Sequence, residues 1–250
     1  HVDGDPSIRE IIKQSLTDIN GNFETDWACC VDEAFKKLAI GNYDVVISDY
    51  KMPQKDGLQF LTELREQNNE IPFILFTGKG REEVAMQALN LGADGYCSKQ
   101  GSPETVYGEL AHSIKQSVAK KKAKTSILLN EIYLQCMVDI NKMLDASDKE
   151  LMDYALEALT KTTQSELAFI DLLNPDETVI TIHSWSKTAM KEFKTVSTPI
   201  HCPISEAGIW AEPIRQRKPV IINDYSLPMQ HKKGCPQGHV QIKNFLGVPV

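Results

Sequence analysis

The sequence predicts an α/β unit built on a doubly wound parallel sheet, then a long helix, then an α+β unit with an antiparallel sheet. Three observations carry this. Short β-branched runs alternate with amphipathic helical stripes over the first part of the chain. A helical pattern then runs from Pro103 to Leu144 with no breaker after Gly108. Beyond residue 148 comes a helix followed by two strand-like runs around Asn174-Pro175-Asp176-Glu177, a strand, turn, strand unit.

The first unit opens on Val2 and the stripe Ile8, Ile11, Ile12, Leu16. A second stripe is Val31, Ala34, Phe35 and Leu38, and the run Val45-Val46-Ile47 after it reads as a buried strand. Leu58, Leu61 and Leu64 form the third stripe, followed by the strand Phe73-Ile74-Leu75-Phe76-Thr77. Val84, Ala85, Ala88 and Leu89 form the fourth, which Gly92 stops before a weaker strand ending Tyr96-Cys97-Ser98-Lys99. Strands alternating with helices require right-handed crossovers and a parallel sheet. Such a sheet places its chemistry at the carboxyl ends of its strands. Here those ends carry Asp3, Asp49, Thr77 and Lys99, so carboxylates, a hydroxyl and an amine converge on one rim.

This ordered set resembles the receiver domain of two-component response regulators, from His1 to about Ser117, with Met52-Pro53, Asp56-Gly57 and Tyr96 also fitting. The resemblance implies a flavodoxin-like, five-stranded parallel fold and a phosphoryl group accepted on Asp49. Carboxylate attack on a phosphoryl group needs a metal to neutralise its oxygens and a fixed cation to hold them. By resemblance Asp3, Asp49 and the Lys51 carbonyl would hold Mg²⁺, Lys99 would pair with the acyl phosphate, and Thr77 and Tyr96 would move together as a switch. One position departs from the family. Gly4 stands where a second acid is usual, so weakened Mg²⁺ binding is expected, and a receiver that signals without phosphorylation is the alternative. Asp5 is placed either to lean towards the metal or to cap the helix opened by Pro6. Reading Asp3-Gly4-Asp5 as a haloacid dehalogenase-like phosphatase motif leaves Asp49 and Met52-Pro53 unexplained.

In the long helix Val106, Leu110, Ile114 and Val118 suit packing on the sheet, and Lys120, Lys121, Lys122 and Lys124 read as a solvated collar. Leu129, Tyr133, Cys136, Ile140 and Met143 then follow a 4-3-4-3 spacing over about two heptads, a coiled-coil seam that predicts a homodimer. The expected divisions are 1–119 for the receiver, 120–147 for the helical linker and 148–250 for the last domain.

That last part resembles a GAF domain of the kind found in methanogen and related archaeal signalling proteins. The carrying residues include His183-Ser184-Trp185-Ser186-Lys187, Gly208-Ile209-Trp210-Ala211-Glu212-Pro213, Asn223-Asp224-Tyr225 and Val248-Pro249-Val250. A helix over 206–217, strained at Pro213, is expected before the strand at 219–222. The resemblance implies a small-molecule pocket lined by Trp185, Trp210, Tyr225 and His239, with Arg215 or Arg217 as anion contacts and the ligand itself unknown. His201, Cys202, Cys235 and His239 form a weak zinc set, because neighbouring strand residues point to opposite faces.

The net charge of −7 argues against general nucleic-acid binding. No apolar run reaches membrane-spanning length, and six cysteines without a regular spacing suit reduced thiols, so a cytoplasmic protein is expected. The chain starts without Met and stops in mid-pattern, so the GAF sheet is expected to be incomplete at its carboxyl end and the chain to be a window on a longer one. Together these features predict a phosphoacceptor signalling protein rather than an enzyme, served by a sensor histidine kinase or phosphotransfer protein. The amino-terminal part of a hybrid histidine kinase is the alternative.

Overall fold

The computed structural model describes all residues except 20, 79–81, 193–199, 230–231, 233–240 and 250, with the backbone alone at 192 and 200. The chain divides into two compact units, His1–Ile127 and Leu128–Val250.

In the first unit, helix α1 (Pro6–Ile19) precedes α2 (Val31–Ile40), strand β1 (Val46–Ser48), α3 (Gly57–Glu66), β2 (Phe73–Thr77), α4 (Glu82–Asn90) and β3 (Gly95–Ser98). Strand β2 pairs in parallel with β1 on one side and β3 on the other. The two amino-terminal strand positions are reduced to single parallel bridges, from Val2 to Ala28 and from Val2 to Ser48. Across the sheet the order is therefore Ala28, Val2, β1, β2, β3, the doubly wound order expected.

Alternation along β2 sends its side chains to opposite faces. Phe73 and Leu75 join Val31, Ala34, Phe60, Leu61, Leu64 and Ala88 from α2, α3 and α4. Ile74 and Phe76 join Ile12 and Leu16 of α1 and Val106, Leu110, Ala111 and Ile114 of the long helix α5 (Pro103–Lys142). All five residues of β2 are buried, which marks it as the central strand. Two predicted core positions are corrected. Ile11 and Leu89 are 51% and 54% exposed, because the buried stripes run through Ile12 and Leu16 and through Ala88 instead.

Helix α5 is continuous over 40 residues. Its lysines lie at the surface, as a solvated collar requires, and three of them also form surface pairs: Lys121 and Lys124 with Glu70, at 3.0 and 2.9 Å, and Lys122 with Asp44 at 4.0 Å. These are exposed pairs, each worth little alone, but two of them share one carboxylate and hold it at about pH 2. In the seam, Leu129 and Tyr133 are exposed, while Cys136, Ile140 and Met143 are half-buried.

In the second unit, α6 (Asp148–Thr163) starts at a capping box in which Ser147 and Glu150 satisfy each other's backbone amides. The Tyr154 hydroxyl donates to Asp139 Oδ2 at 2.8 Å, tying α6 to the last turns of α5. Strands β4 (Phe169–Leu173) and β5 (Val179–Trp185) are antiparallel, joined by a turn in which Asn174 Oδ1 accepts from Thr178 and Val179 amides. Helix α7 (Lys187–Glu192) follows, and β6 (Ile200–Pro203) then extends the sheet antiparallel to β5.

The helix expected over 206–217 is shorter and begins differently. A 3-10 turn at Ile209–Ala211 leads into α8 (Glu212–Gln216), so Pro213 stands in a first turn, where its missing N–H costs nothing. Strands β7 (Val220–Ile222) and β8 (Phe245–Gly247) form a separate antiparallel pair. The described core here is thin: Ile180 packs with Ala207 and Ala211, and Ile209 with Ile222 and Tyr225.

Candidate functional site

The parallel sheet brings Asp3, Asp49, Thr77 and Lys99 together at the carboxyl ends of its strands. Asp3 is 3% exposed and follows the Val2 bridge; Asp49 follows β1. Lys99 follows β3, and its Nζ donates to Asp3 Oδ2 at 2.6 Å and to Asp49 Oδ1 at 3.0 Å. One ammonium thus bridges two carboxylates in a largely dehydrated rim, where charge-assisted hydrogen bonds are strong. The Lys99 amide donates to Thr77 O at 2.9 Å, which fixes the ends of β2 and β3 to each other. Thr77 is buried, and Tyr96 is half-buried against the cluster containing Phe60 and Leu75.

The loop after β1 is shaped by contacts that its sequence only hinted at. A Cβ on Gly57 would lie 2.4 Å from Asp49 O, so glycine is what lets α3 start against the end of β1. Asp56 caps α3, accepting from Leu58 and Gln59 amides while Gln59 accepts from the Asp56 amide. The Lys51 amide donates to Asp49 Oδ2 at 3.1 Å, orienting the carboxylate. A Cβ on Gly4 would meet Pro53 Cδ at 3.0 Å, so the missing acid and the position of Pro53 are linked. Asp5 is committed to the cap: its Oδ1 accepts from both the amide and the hydroxyl of Ser7, which lowers its pKa.

The donor set fits a hard divalent cation. Asp3 and Asp49 supply carboxylate oxygens beside Lys99 Nζ, and Mg²⁺ needs only one or two carboxylates with water completing its octahedron. Among the described residues no cluster of three or more His, Cys, Asp or Glu side chains is placed to hold a metal.

Residues 1–111 match the response regulator receiver domain family, and residues 145–250 match the GAF domain family. The chain joins a receiver domain to a GAF domain. A methyl sulfide methyltransferase-associated sensor of Methanosarcina acetivorans is 37% identical over 131 residues, 52% of this chain and 13% of that protein. Response regulator Rre1 of Synechocystis is 34% identical over 139 residues, 53% of this chain and 58% of that one. The chain therefore spans less than two thirds of either relative. Among solved structures, the Thermotoga maritima response regulator TrrA, in complex with Mg²⁺ and BeF, is 33% identical, with 46% of this chain and 94% of that one covered, at a TM-score of 0.40.

Of the predicted GAF pocket residues, Trp210 and Tyr225 share one cluster with Ile209 and Ile222. Trp185 packs on Phe169 with ring centroids 5.5 Å apart, Trp210 lies between the two small clusters, and Tyr225 is a core residue covered by Lys232 at 4.7 Å. Arg215 is used internally: its guanidinium donates to the Gly208, Ile204 and Ala207 carbonyls and to Glu212 Oε1, which organises the loop before the 3-10 turn rather than offering an anion site. Arg217 pairs with Glu177. His239 lies outside the described residues, as does Cys235 of the weak zinc set. One group went unnoticed in the sequence. Asp171 in β4 is half-buried with its Oδ1 fully so, and the loss of water around the carboxyl pushes it up to about 6.

Proposed function

We propose that the receiver takes a phosphoryl group on Asp49 from a sensor histidine kinase or phosphotransfer protein and passes its state, through α5, to the GAF domain. The observation that carries this reading is the Lys99 ammonium held between Asp3 and Asp49. Attack by an Asp49 oxygen on the phosphorus would form the acyl phosphate and release the donor. Asp3, Asp49 and the Lys51 carbonyl would hold Mg²⁺, which supplies neutralisation of the phosphoryl oxygens when bound. Lys99 would then transfer its hydrogen bond from Asp49 to a phosphoryl oxygen. Thr77, at the end of the neighbouring strand, would donate to another and move towards it, freeing space into which half-buried Tyr96 would rotate as the second part of the switch.

We assign 1–119 to the receiver, 120–147 to the linker and 148–250 to the GAF domain, and place the protein in the cytoplasm; no described helix is long and apolar enough to cross a membrane. The exposed seam residues Leu129 and Tyr133 support a homodimer through α5. The GAF domain then acts as a sensory or dimerisation module, and Asp49 serves as phosphoacceptor without the chain turning over a substrate.

Incubation with acetyl phosphate and Mg²⁺ is expected to add one phosphoryl group, read by intact mass, and Asn at 49 (Asp49→Asn) to abolish it. Equal labelling of that variant would refute the assignment. For the dimer, Ile140→Lys is expected to lower the molar mass in light scattering while labelling persists; an unchanged mass would favour docking of this row within one chain.

A further inference from the structure

Asp171 sits mid-strand in β4, opposite Ile182 of β5, immediately after the point where the register shifts between Ile170 and Asp171. The extra residue of this bulge is His183 of β5, between Ile182 and Ser184, so β4 keeps its alternation; bulges recur beside functional sites. Its Oδ1 is buried and has no hydrogen-bond partner among the described residues. A buried carboxylate oxygen without a donor is unfavourable, so this oxygen is satisfied only when a donor or a positive charge arrives.

The strand register says which face it belongs to. The next same-face pair along the ladder is Leu173 with Ile180, and Ile180 packs on Ala207 and Ala211, with Trp210 against that cluster. Asp171 therefore lies on the sheet face covered by the segment leading into α8. On the other side of the bulge stands the ring pair Phe169 and Trp185. A carboxylate next to aromatic rings and aliphatic side chains suits a cation with an apolar body, stabilised both by charge and by the ring faces. An anion is disfavoured by the carboxylate, and no described third acidic, His or Cys ligand is present for a metal.

We propose that Asp171 is the polar anchor of a ligand site in the GAF domain for a small organic cation, a protonated amine or amidinium; this rests on the sensory reading of that domain. The raised pKa agrees with the geometry, since both report a carboxylate removed from water without a counter-charge.

The test uses the full chain at pH 7.5 with two matched pairs of probes: benzamidinium against benzamide, and butylammonium against butanol. Each cation is expected to raise the unfolding temperature and perturb tryptophan fluorescence with a dissociation constant at least tenfold tighter than its neutral partner. Asp171→Asn is expected to erase that tenfold preference, and Asp171→Leu serves the same purpose if the amide variant does not fold. A neutral probe binding as tightly as its cation, or a preference that survives both substitutions, overturns the assignment of Asp171 and leaves the pocket reading standing. Binding of neither member of either pair overturns both.

Discussion

In the receiver, the buried Asp3 carboxylate meets Lys99 Nζ at 2.6 Å; in the GAF domain, the buried Oδ1 of Asp171 meets no described donor. The two domains also differ in what surrounds these charges. Sheet faces rich in Phe, Leu and Ile flank the receiver site, with Phe60 between Phe35 and Phe73 at centroid distances of 5.2 and 5.5 Å. The described GAF clusters centre on three buried residues each, which gives the rim of that sheet little to brace it. A pre-paired charge on a well-packed sheet is a site organised before its substrate arrives. An unpaired charge on a thin core is a site that needs its ligand.

The largest effect that sharpens this contrast is in the cores. Phe60→Ala is expected to destabilise the receiver by about 4 kcal/mol, and Ile180→Ala the GAF domain by about 2 kcal/mol, since a thin core collapses more easily around a cavity. Urea unfolding of the two variants checks this. An equal or larger loss at Ile180 would break the comparison.

Acidification should separate the domains by sign. The Asp171 carboxyl stands at about 6 against an ordinary 3.8, so the folded state binds a proton that the unfolded chain releases. Its contribution is most favourable below about pH 4 and declines as pH rises through 6, a change of about 2–3 kcal/mol. In the receiver the signs reverse. Asp26 is held at about 2 by the Tyr43 hydroxyl and Lys37, and Glu70 at about 2 by Lys124 and Lys121, so their contributions are lost as pH falls below about 4. Calorimetry from pH 7 to 4.5 is expected to raise the GAF transition relative to that of Asp171→Asn. Parallel profiles for the two proteins would contradict a buried, unpaired Oδ1 at Asp171.

The smallest effect concerns Gly4. Gly4→Asp is expected to tighten Mg²⁺ binding several-fold by adding a carboxylate, at a cost of about 1 kcal/mol for moving Pro53. Isothermal titration measures the first and thermal unfolding the second. An unchanged Mg²⁺ affinity would mean that Pro53 keeps the new carboxylate away from the metal.

How much of this was legible in the sequence follows the same division. Asp3, Asp49, Thr77 and Lys99 announce themselves because β-branched runs locate the strands and strand ends locate the chemistry. The parallel order followed from the alternation of strands and helices, even though the first two strand positions shrank to bridges at Val2. The Gly57 approach to Asp49 O was not legible, because it depends on the path of a loop and not on a residue pattern. Pro213 read as a strain within one helix, since a 3-10 turn and a short helix leave the same local signature as a continuous one. Arg215 was expected at a ligand because arginine is chemically able to bind one; only the carbonyls of Ile204, Ala207 and Gly208 reveal that its donors are occupied. Asp171 looked like one polar residue in an alternating strand, and burial cannot be read from one position.

The central claim is that Asp49 is the acceptor on a rim that lacks the second acid. Borohydride reduction of the phosphorylated protein, followed by peptide mapping, tests it most directly, because an aspartyl phosphate is converted to homoserine where it stood. The account predicts homoserine at position 49 alone, formed only when Mg²⁺ was present during labelling. Homoserine at position 3 or 5, or a phosphoryl group that yields none, would contradict it.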